Sequence, residues 1–151
     1  VWSDFFVNQT VGPSSLFNLC LRVVRQFINE IASLEGVADL AQKQIFDYCS
    51  KTNVISTKFL NKFDIPLPRI DSGIGLTKDA LIHLASNPKH QVNFLNLTKL
   101  QLYDSKLNLG SYLVKLKHLN HLILRKQVIK TQDCTCIAKL PKLEYLDVSK
   151  T

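Results

Sequence analysis

No run of about 18 apolar residues occurs in this 151-residue chain, so no segment is expected to span a membrane. No charged stretch precedes an apolar one at its start, so no signal peptide is expected. Cysteine is sparse. Cys20, Cys49, Cys134 and Cys136 are too few for a disulfide scaffold of this length, and a reducing, cytoplasmic or nuclear setting is expected. Five scattered glycines form no phosphate-binding loop. No Ser/His/Asp or paired-carboxylate constellation can be argued from the sequence. The expectation is a non-catalytic protein without a cofactor. Apolar residues at 46% and charged residues at 21% exclude wholesale disorder and a collagen-like chain. The length fits one domain, or two small parts that share a core.

Charge is uneven. Residues 1–50 hold three basic and five acidic side chains, net −2, whereas residues 51–151 hold sixteen and seven, net +9. The basic half raises the alternative of nucleic-acid binding. Its lysines, Lys106, Lys115, Lys117, Lys130, Lys139 and Lys142, fall on expected turns and connectors, so no nucleic-acid partner is expected. Two sequons, Asn8-Gln9-Thr10 and Asn96-Leu97-Thr98, raise a second alternative, an extracellular recognition domain. His118, His121, Cys134 and Cys136 invite a zinc reading. The repeat pattern below places His121 and the two cysteines on opposite sides, so no metal is expected.

Leucine dominates the second half, with fourteen between Asn93 and Thr151. Leu97, Leu100, Leu102 and Leu107 share a spacing with Leu119, Leu122, Leu124 and Ile129, and Leu143, Leu146 and Val148 begin a third copy. Copies that start at Leu97, Leu119 and Leu143 keep a period inside the leucine-rich-repeat range of roughly 20–29 residues. Leu-x-Leu puts two leucines on one face of a short strand, and stacked copies bury that face as a parallel sheet. Leu109, Leu113 and Leu116, and then Ile137 and Leu140, have the helical spacing of a convex side. Thr77 is expected to cap a helix over 78–86 that Asn87-Pro88 ends, with an earlier strand near 67–70. The concave face is expected to carry Lys99, Gln101 and Tyr103, then His121, Ile123 and Arg125, then Tyr145, Asp147 and Ser149, and to bind a protein substrate. An array ending at Val148 to Thr151 has no polar cap, and the natural chain is expected to continue.

The first half reads as helices. Gly12-Pro13 breaks the chain, and Ser14 or Ser15 can cap a helix over 16–34. Its apolar side chains, Leu16 to Ile31, fill an arc of roughly 200°, about twice what packing on one core requires. One contact is its own domain. The second belongs to a partner, or to neighbouring helices of the same chain.

Ser15-Leu16-Phe17-Asn18-Leu19-Cys20-Leu21-Arg22-Val23-Val24 fits the elongin-binding box Ser/Thr-Leu-x-x-x-Cys-x-x-x-aliphatic, and Cys20 to Arg25 resembles the von Hippel–Lindau box. Val37, Ala38, Ala41 and Ile45, on a second expected helix over 37–48, resemble the cullin-2 box, with Ala38 where that box has Pro. A box of this kind followed by leucine-rich repeats resembles the Zyg/Zer family of cullin-2 substrate receptors. Lys117 to Leu122 and Leu143 to Ser149 are similar to repeat segments of that family.

The resemblance implies a non-catalytic ubiquitin-ligase adaptor. Elongin C, with elongin B, would be bound by Ser15, Leu16, Leu19, Cys20, Val23, Val24 and Phe27, with Leu16 in a pocket and Cys20 at its rim. Cullin-2 would meet Val37, Ala38, Ala41 and Ile45. Ile65-Pro66-Leu67-Pro68 resembles the cullin-5 box, so the choice of cullin stays open. Two prolines also suit a stiff connector, which is the preferred reading. The expected class is α/β, with an arm over 1–13, a helical box domain over 14–62 and a leucine-rich-repeat solenoid with a parallel sheet over 63–151.

Overall fold

The computed structural model describes residues 13–71, 73–101 and 107–150, with side chains from Leu16 onward. Helices α1 (Pro13–Phe27), α2 (Asp39–Cys49) and α3 (Thr57–Leu60) come first. Strands and helices then alternate: β1 (Arg69–Asp71), β2 (Leu76–Thr77), α4 (Lys78–Ser86), β3 (Phe94–Asn96), β4 (Leu100–Gln101), α5 (Leu109–Leu113), β5 (His121–Ile123), α6 (Thr131–Ile137) and β6 (Tyr145–Asp147). The fold is mixed helix and parallel sheet.

Helix α1 is shorter than expected. It ends at Phe27, and the chain turns through Ile28 to Glu30 instead of continuing to residue 34. Tertiary contacts decide this. Leu34 N–H donates to Lys62 O at 2.7 Å, and the Lys62 ammonium donates to Ile31 O, so residues 31–34 are drawn along the end of α3. Burial lowers the Lys62 pKa, and the nearby Lys58 adds to the shift.

Helix α2 starts two residues later than expected, with Ala38 as its N-cap and Asp39 against its positive end. Its Gln42 is buried, and both ends of its amide are used. Nε2 donates to Val37 O at 2.8 Å, and Oε1 accepts from Asp64 N at 2.9 Å. Phe46, Phe59 and Phe63 pack ring to ring at 5.2–5.8 Å and join α2 to α3. The segment Ile65-Pro66-Leu67-Pro68 connects α3 to β1. Ile65 and Leu67 are buried, while Pro68 O accepts from Asn93 and Phe94 N–H.

Four strands form one parallel sheet in the order β1-β3-β5-β6, and β2 pairs parallel with β4 in a second, two-stranded sheet. Arg69, Phe94, His121 and Tyr145 align across the four strands at nearly even intervals along the chain. Ile70, Leu95, Leu122 and Leu146 form the next row, and Asp71, Asn96, Ile123 and Asp147 the third. This corrects the expected frame. Leu95 and Leu97, not Leu100, stand where Leu122 and Leu124 stand, and Leu102 lies outside the described residues. The sequence holds two overlapping frames, Val92-x-x-Leu95-x-Leu97 and Leu97-x-x-Leu100-x-Leu102, and the chain folds on the first. Leu100 instead pairs with Leu76 in the smaller sheet.

Helix α4 covers Lys78–Ser86 as expected, with Thr77 accepting from Ala80 N at 3.2 Å. Helices α3, α4, α5 and α6 pack in series beside the sheet. Ile70, Leu95 and Leu122 share one core with Leu81, Leu84, Leu113 and Ile137, and that core extends without a break to Ile28, Leu34 and Phe46 of the helical half.

Between α5 and α6, buried Asp133 accepts from Gly110 N–H at 2.7 Å and Lys130 N–H at 2.9 Å. A Cβ on Gly110 would stand 2.8 Å from Asp133 Cα and Cys136 Cβ. Gly110→Ala is therefore expected to cost about 1–3 kcal/mol through overpacking. Urea unfolding measures this, and an unchanged midpoint would contradict the contact.

Candidate protein-docking surfaces

Helix α1 carries two apolar stripes. At about 100° per residue, Leu21, Val24 and Ile28 centre on one direction, and Leu16, Leu19, Cys20, Val23 and Phe27 on another about 100° away. Leu21 and Ile28 are buried and Val24 packs on the core. On the other stripe Leu16 is 55% exposed, Cys20 and Phe27 are exposed, and Leu19 and Val23 are half-buried. Phe17, about 100° round the helix from Leu16 and in line with Val24 and Ile28, is exposed as well.

This separates the residues expected to form one elongin-binding set. Val24 was expected beside Leu16 and Cys20, but eight residues make about 800°, some 80° past two full turns. It faces its own domain. Val23 and Phe27, at seven and eleven residues from Leu16, stay in line with it. Ser15 lies on α1, and its side chain is outside those described.

Of the four residues expected to meet a cullin, Val37 and Ala38 are exposed and Ala41 is half-buried. Ile45 is a correction. It is part of the core, held from the inner side of α2, and has no surface to offer. Leu40, missed in the sequence reading, is 69% exposed. Its signal is present, since a leucine next to Asp39 lies off the buried side of α2, where Gln42, Ile45, Phe46 and Cys49 point inward.

The second surface is the face of the four-stranded sheet turned away from the core. Arg69 lies over the Phe94 ring at 3.6 Å from its centroid. Phe94 stacks on His121 at 6.0 Å, and His121 on Tyr145 at 5.6 Å, with ring planes within 25°. In the next row Asn96 Nδ2 donates to Asp71 Oδ1 at 2.9 Å, and Asn96 Oδ1 accepts from Thr98 N–H and Oγ1. Arg125 Nε donates to Asp147 Oδ2 at 2.6 Å. Together with the Ser149 N–H, this bond holds the Asp147 carboxyl down at about 2, and it raises Arg125.

His121, Ile123, Arg125, Tyr145 and Asp147 thus lie on the expected face. Lys99 and Gln101 do not. Gln101 belongs to β4, and the Lys99 ammonium reaches back to Gly73 O. Tyr103 lies outside the described residues. The frame shift explains the error. The residues it missed are Arg69, Asp71, Phe94 and Asn96.

Cys49 is buried, and burial lifts its thiol to about 11, against a smaller opposing effect of Arg25. His121 sits in the ring stack, whereas Cys134 and Cys136 lie on α6. No cluster of metal-ligating side chains occurs among the described residues. None of the four cysteines is bridged.

His90 is 2% exposed, and its Nδ1 has no hydrogen-bond partner among the described residues. Burial lowers its pKa from 6.5 to about 4, and His83 and Lys89 push in the same direction. The unfolded chain therefore binds more protons between these values. Stability is full above pH 6.5 and falls as pH drops through 4, by about 3 kcal/mol in all. Urea midpoints at pH 7 and pH 4 should show this loss, and His90→Leu should flatten it. An equal pH dependence in the variant would contradict the assignment.

No protein-family model, curated protein or solved structure matches the chain.

Proposed function

We propose that this chain is a substrate-recognition adaptor of a cullin-2–elongin B/C ubiquitin ligase, of the Zyg/Zer kind, built as a helical box followed by leucine-rich repeats. Elongin C binds the outer stripe of α1, with Leu16 as the buried anchor and Cys20, Val23 and Phe27 beside it. A protein substrate binds the outer face of the four-stranded sheet. The chain has no catalytic role of its own and works in the cytoplasm or nucleus.

The observation that carries the reading is the division of α1. Leu21, Val24 and Ile28 pack on the core, and on a second apolar stripe Leu16, Cys20 and Phe27 are exposed while Leu19 and Val23 are half-buried. Leu16 and Phe27, exposed on one stripe three turns apart, are apolar surface of the kind that marks a protein contact. Cysteine on that stripe is small and apolar and permits close approach. The wide ring row on the sheet supports the substrate surface, because aromatic and arginine side chains anchor interfaces. Cullin contact then falls to Val37, Ala38 and the exposed Leu40 rather than to Ile45.

The two alternatives are weaker on specific grounds. Arg69 and Arg125, the arginines of the sheet face, are each paired with a carboxylate, so neither offers phosphates an uncompensated charge there. The Asn96 amide is engaged on both sides by Asp71 and Thr98, which disfavours a glycan there.

Co-expression with elongin B and C tests the reading. The expected result is a chain that is poorly soluble alone and co-elutes with the heterodimer from size exclusion as one peak. Elution apart from elongin B and C would refute it.

A further inference from the structure

The rim of the sheet where its strands begin is basic and lacks counter-charge. Residues 84–92, 114–119 and 138–143, which lead into β3, β5 and β6, contain no aspartate or glutamate. Besides the buried His90 they carry Lys89, Lys115, Lys117, His118, Lys139 and Lys142. Of these only Lys89 pairs with a carboxylate among the described residues, that of Asp64. Glu144, next in the chain after Leu143, pairs with none of them. Lys115 and Lys139 stand just past α5 and α6, where a cation offsets the helix dipole. That effect fades beyond the last turn and does not account for Lys117, His118 and Lys142.

A crevice of about 210 Å³ opens in this rim, between the end of α4 and the connector from α5 to β5. Its polar lining is Ser86, Asn87 and Gln91 on one wall and Lys115, Lys117 and His118 on the other, with no carboxylate. Lys115, Lys117 and His118 are exposed. His118 is three residues before His121 of the ring row, a reach of at most about 10 Å, so a short extended peptide spans from the ring row to the crevice.

The crevice is smaller than sites for whole small molecules, which run from about 300 to 1,000 Å³. It suits one anionic group on a short side chain. A phosphate brings three acceptor oxygens and a charge of about −1.5 to −2, which two ammonium groups, an imidazole and a hydroxyl match better than they match a carboxylate. A polynucleotide fits less well, because Phe94, His121 and Tyr145 stack on one another and leave few ring faces for bases. A membrane fits less well too, since no large apolar side chain is exposed in these three stretches.

We propose that this crevice holds the phosphate of a phosphorylated serine or threonine, carried by a peptide that lies against the sheet face, so that phosphorylation of the substrate controls its recognition. The proposal rests on the sheet face as the substrate surface and does not depend on α1.

The test immobilises the full chain and measures retention of three labelled pools of random peptides, identical except for a fixed central phosphoserine, serine or glutamate. The phosphoserine pool should be retained, and inorganic phosphate should compete it off. Lys117→Glu and Lys115→Glu should each weaken retention about tenfold or more, the loss of one charge-assisted hydrogen bond. Lys43→Glu, an equal change of charge on the exposed side of α2, should leave it unchanged. The replaced lysines are exposed, and a thermal melt establishes that the variants fold. Equal retention of the phosphoserine and serine pools overturns the proposal, as does failure to retain either. Equal retention of the glutamate pool makes the ligand a carboxylate and overturns it as well. So does tighter binding of a labelled oligothymidylate that is lost in the same two variants. Tyr145→Ala separates this proposal from the sheet-face reading. Serine-pool retention lost in that variant keeps the sheet face without the crevice, whereas phosphoserine retention that survives it keeps the crevice without the sheet face.

Discussion

Replacing Leu16 with aspartate is expected to abolish capture of the elongin B–C heterodimer and to leave the melting temperature within a few degrees of the parent. The side chain is 55% exposed, so the free protein loses little apolar burial. A bound complex loses the transfer energy of a leucine, about 1.5–3 kcal/mol, and must also desolvate a carboxylate. Together these exceed a hundredfold in affinity, since about 1.4 kcal/mol corresponds to a factor of ten. Cys20→Asp, one turn along the same stripe, should behave alike. Ile28→Asp is the contrasting control. It buries a charge in the shared core and should unfold the protein as a whole. Pull-down with the Leu16 and Cys20 variants reads the outcome, and undiminished capture by either would reject the assigned stripe.

The largest effect on stability is expected at the aromatic cluster. Phe59 is almost fully buried and touches Phe46 at 5.8 Å and Phe63 at 5.3 Å between centroids. Phe59→Ala removes the group that joins α3 to α2 and leaves a cavity between them. The cost should be about 3–5 kcal/mol. Because the helical half and the sheet share one core, a single cooperative transition should shift as a whole. Guanidinium unfolding followed by circular dichroism measures the shift. A loss below about 1 kcal/mol would show that the cavity collapses or that the cluster is loosely packed. Elongin binding should weaken in step with stability, since the inner stripe of α1 rests on this core.

Much of the fold was legible in the chain because local signals agreed with tertiary ones. Thr77 with Asp79 and the inward Leu81 and Leu84 mark α4 by cap, dipole and period together, and the structure places that helix at Lys78–Ser86. Leu119, Leu122 and Leu124 belong to one frame with no competitor, so the positions of His121, Ile123 and Arg125 followed. Around Leu97 two frames overlap by one leucine. The frame that starts at Leu97 puts Lys99 and Gln101 on the sheet face, whereas the frame that starts at Val92 puts Phe94 and Asn96 there. Period alone could not separate them, because the pairing of Leu95 with Leu122 on β5 decides, and that partner is remote in the chain.

The end of α1 was misread for a related reason. The apolar spacing from Leu16 to Ile31 continues past Phe27, yet Ile31 O and Leu34 N–H are claimed by Lys62. A long-range partner overrides local periodicity there. Ile45 shows the same limit on α2. Its spacing suits a binding motif and a core stripe equally, and only the packed helix pair shows which side of α2 is covered. On α1 the excess was readable, because its apolar arc was wider than one contact could use.

Isothermal titration of the purified chain into purified elongin B–C heterodimer bears most directly on this account. A one-to-one isotherm with micromolar or tighter affinity and a negative heat-capacity change, as burial of the α1 stripe requires, is the predicted result. Absence of heat at two temperatures, with the chain folded by circular dichroism in the same buffer, would contradict it.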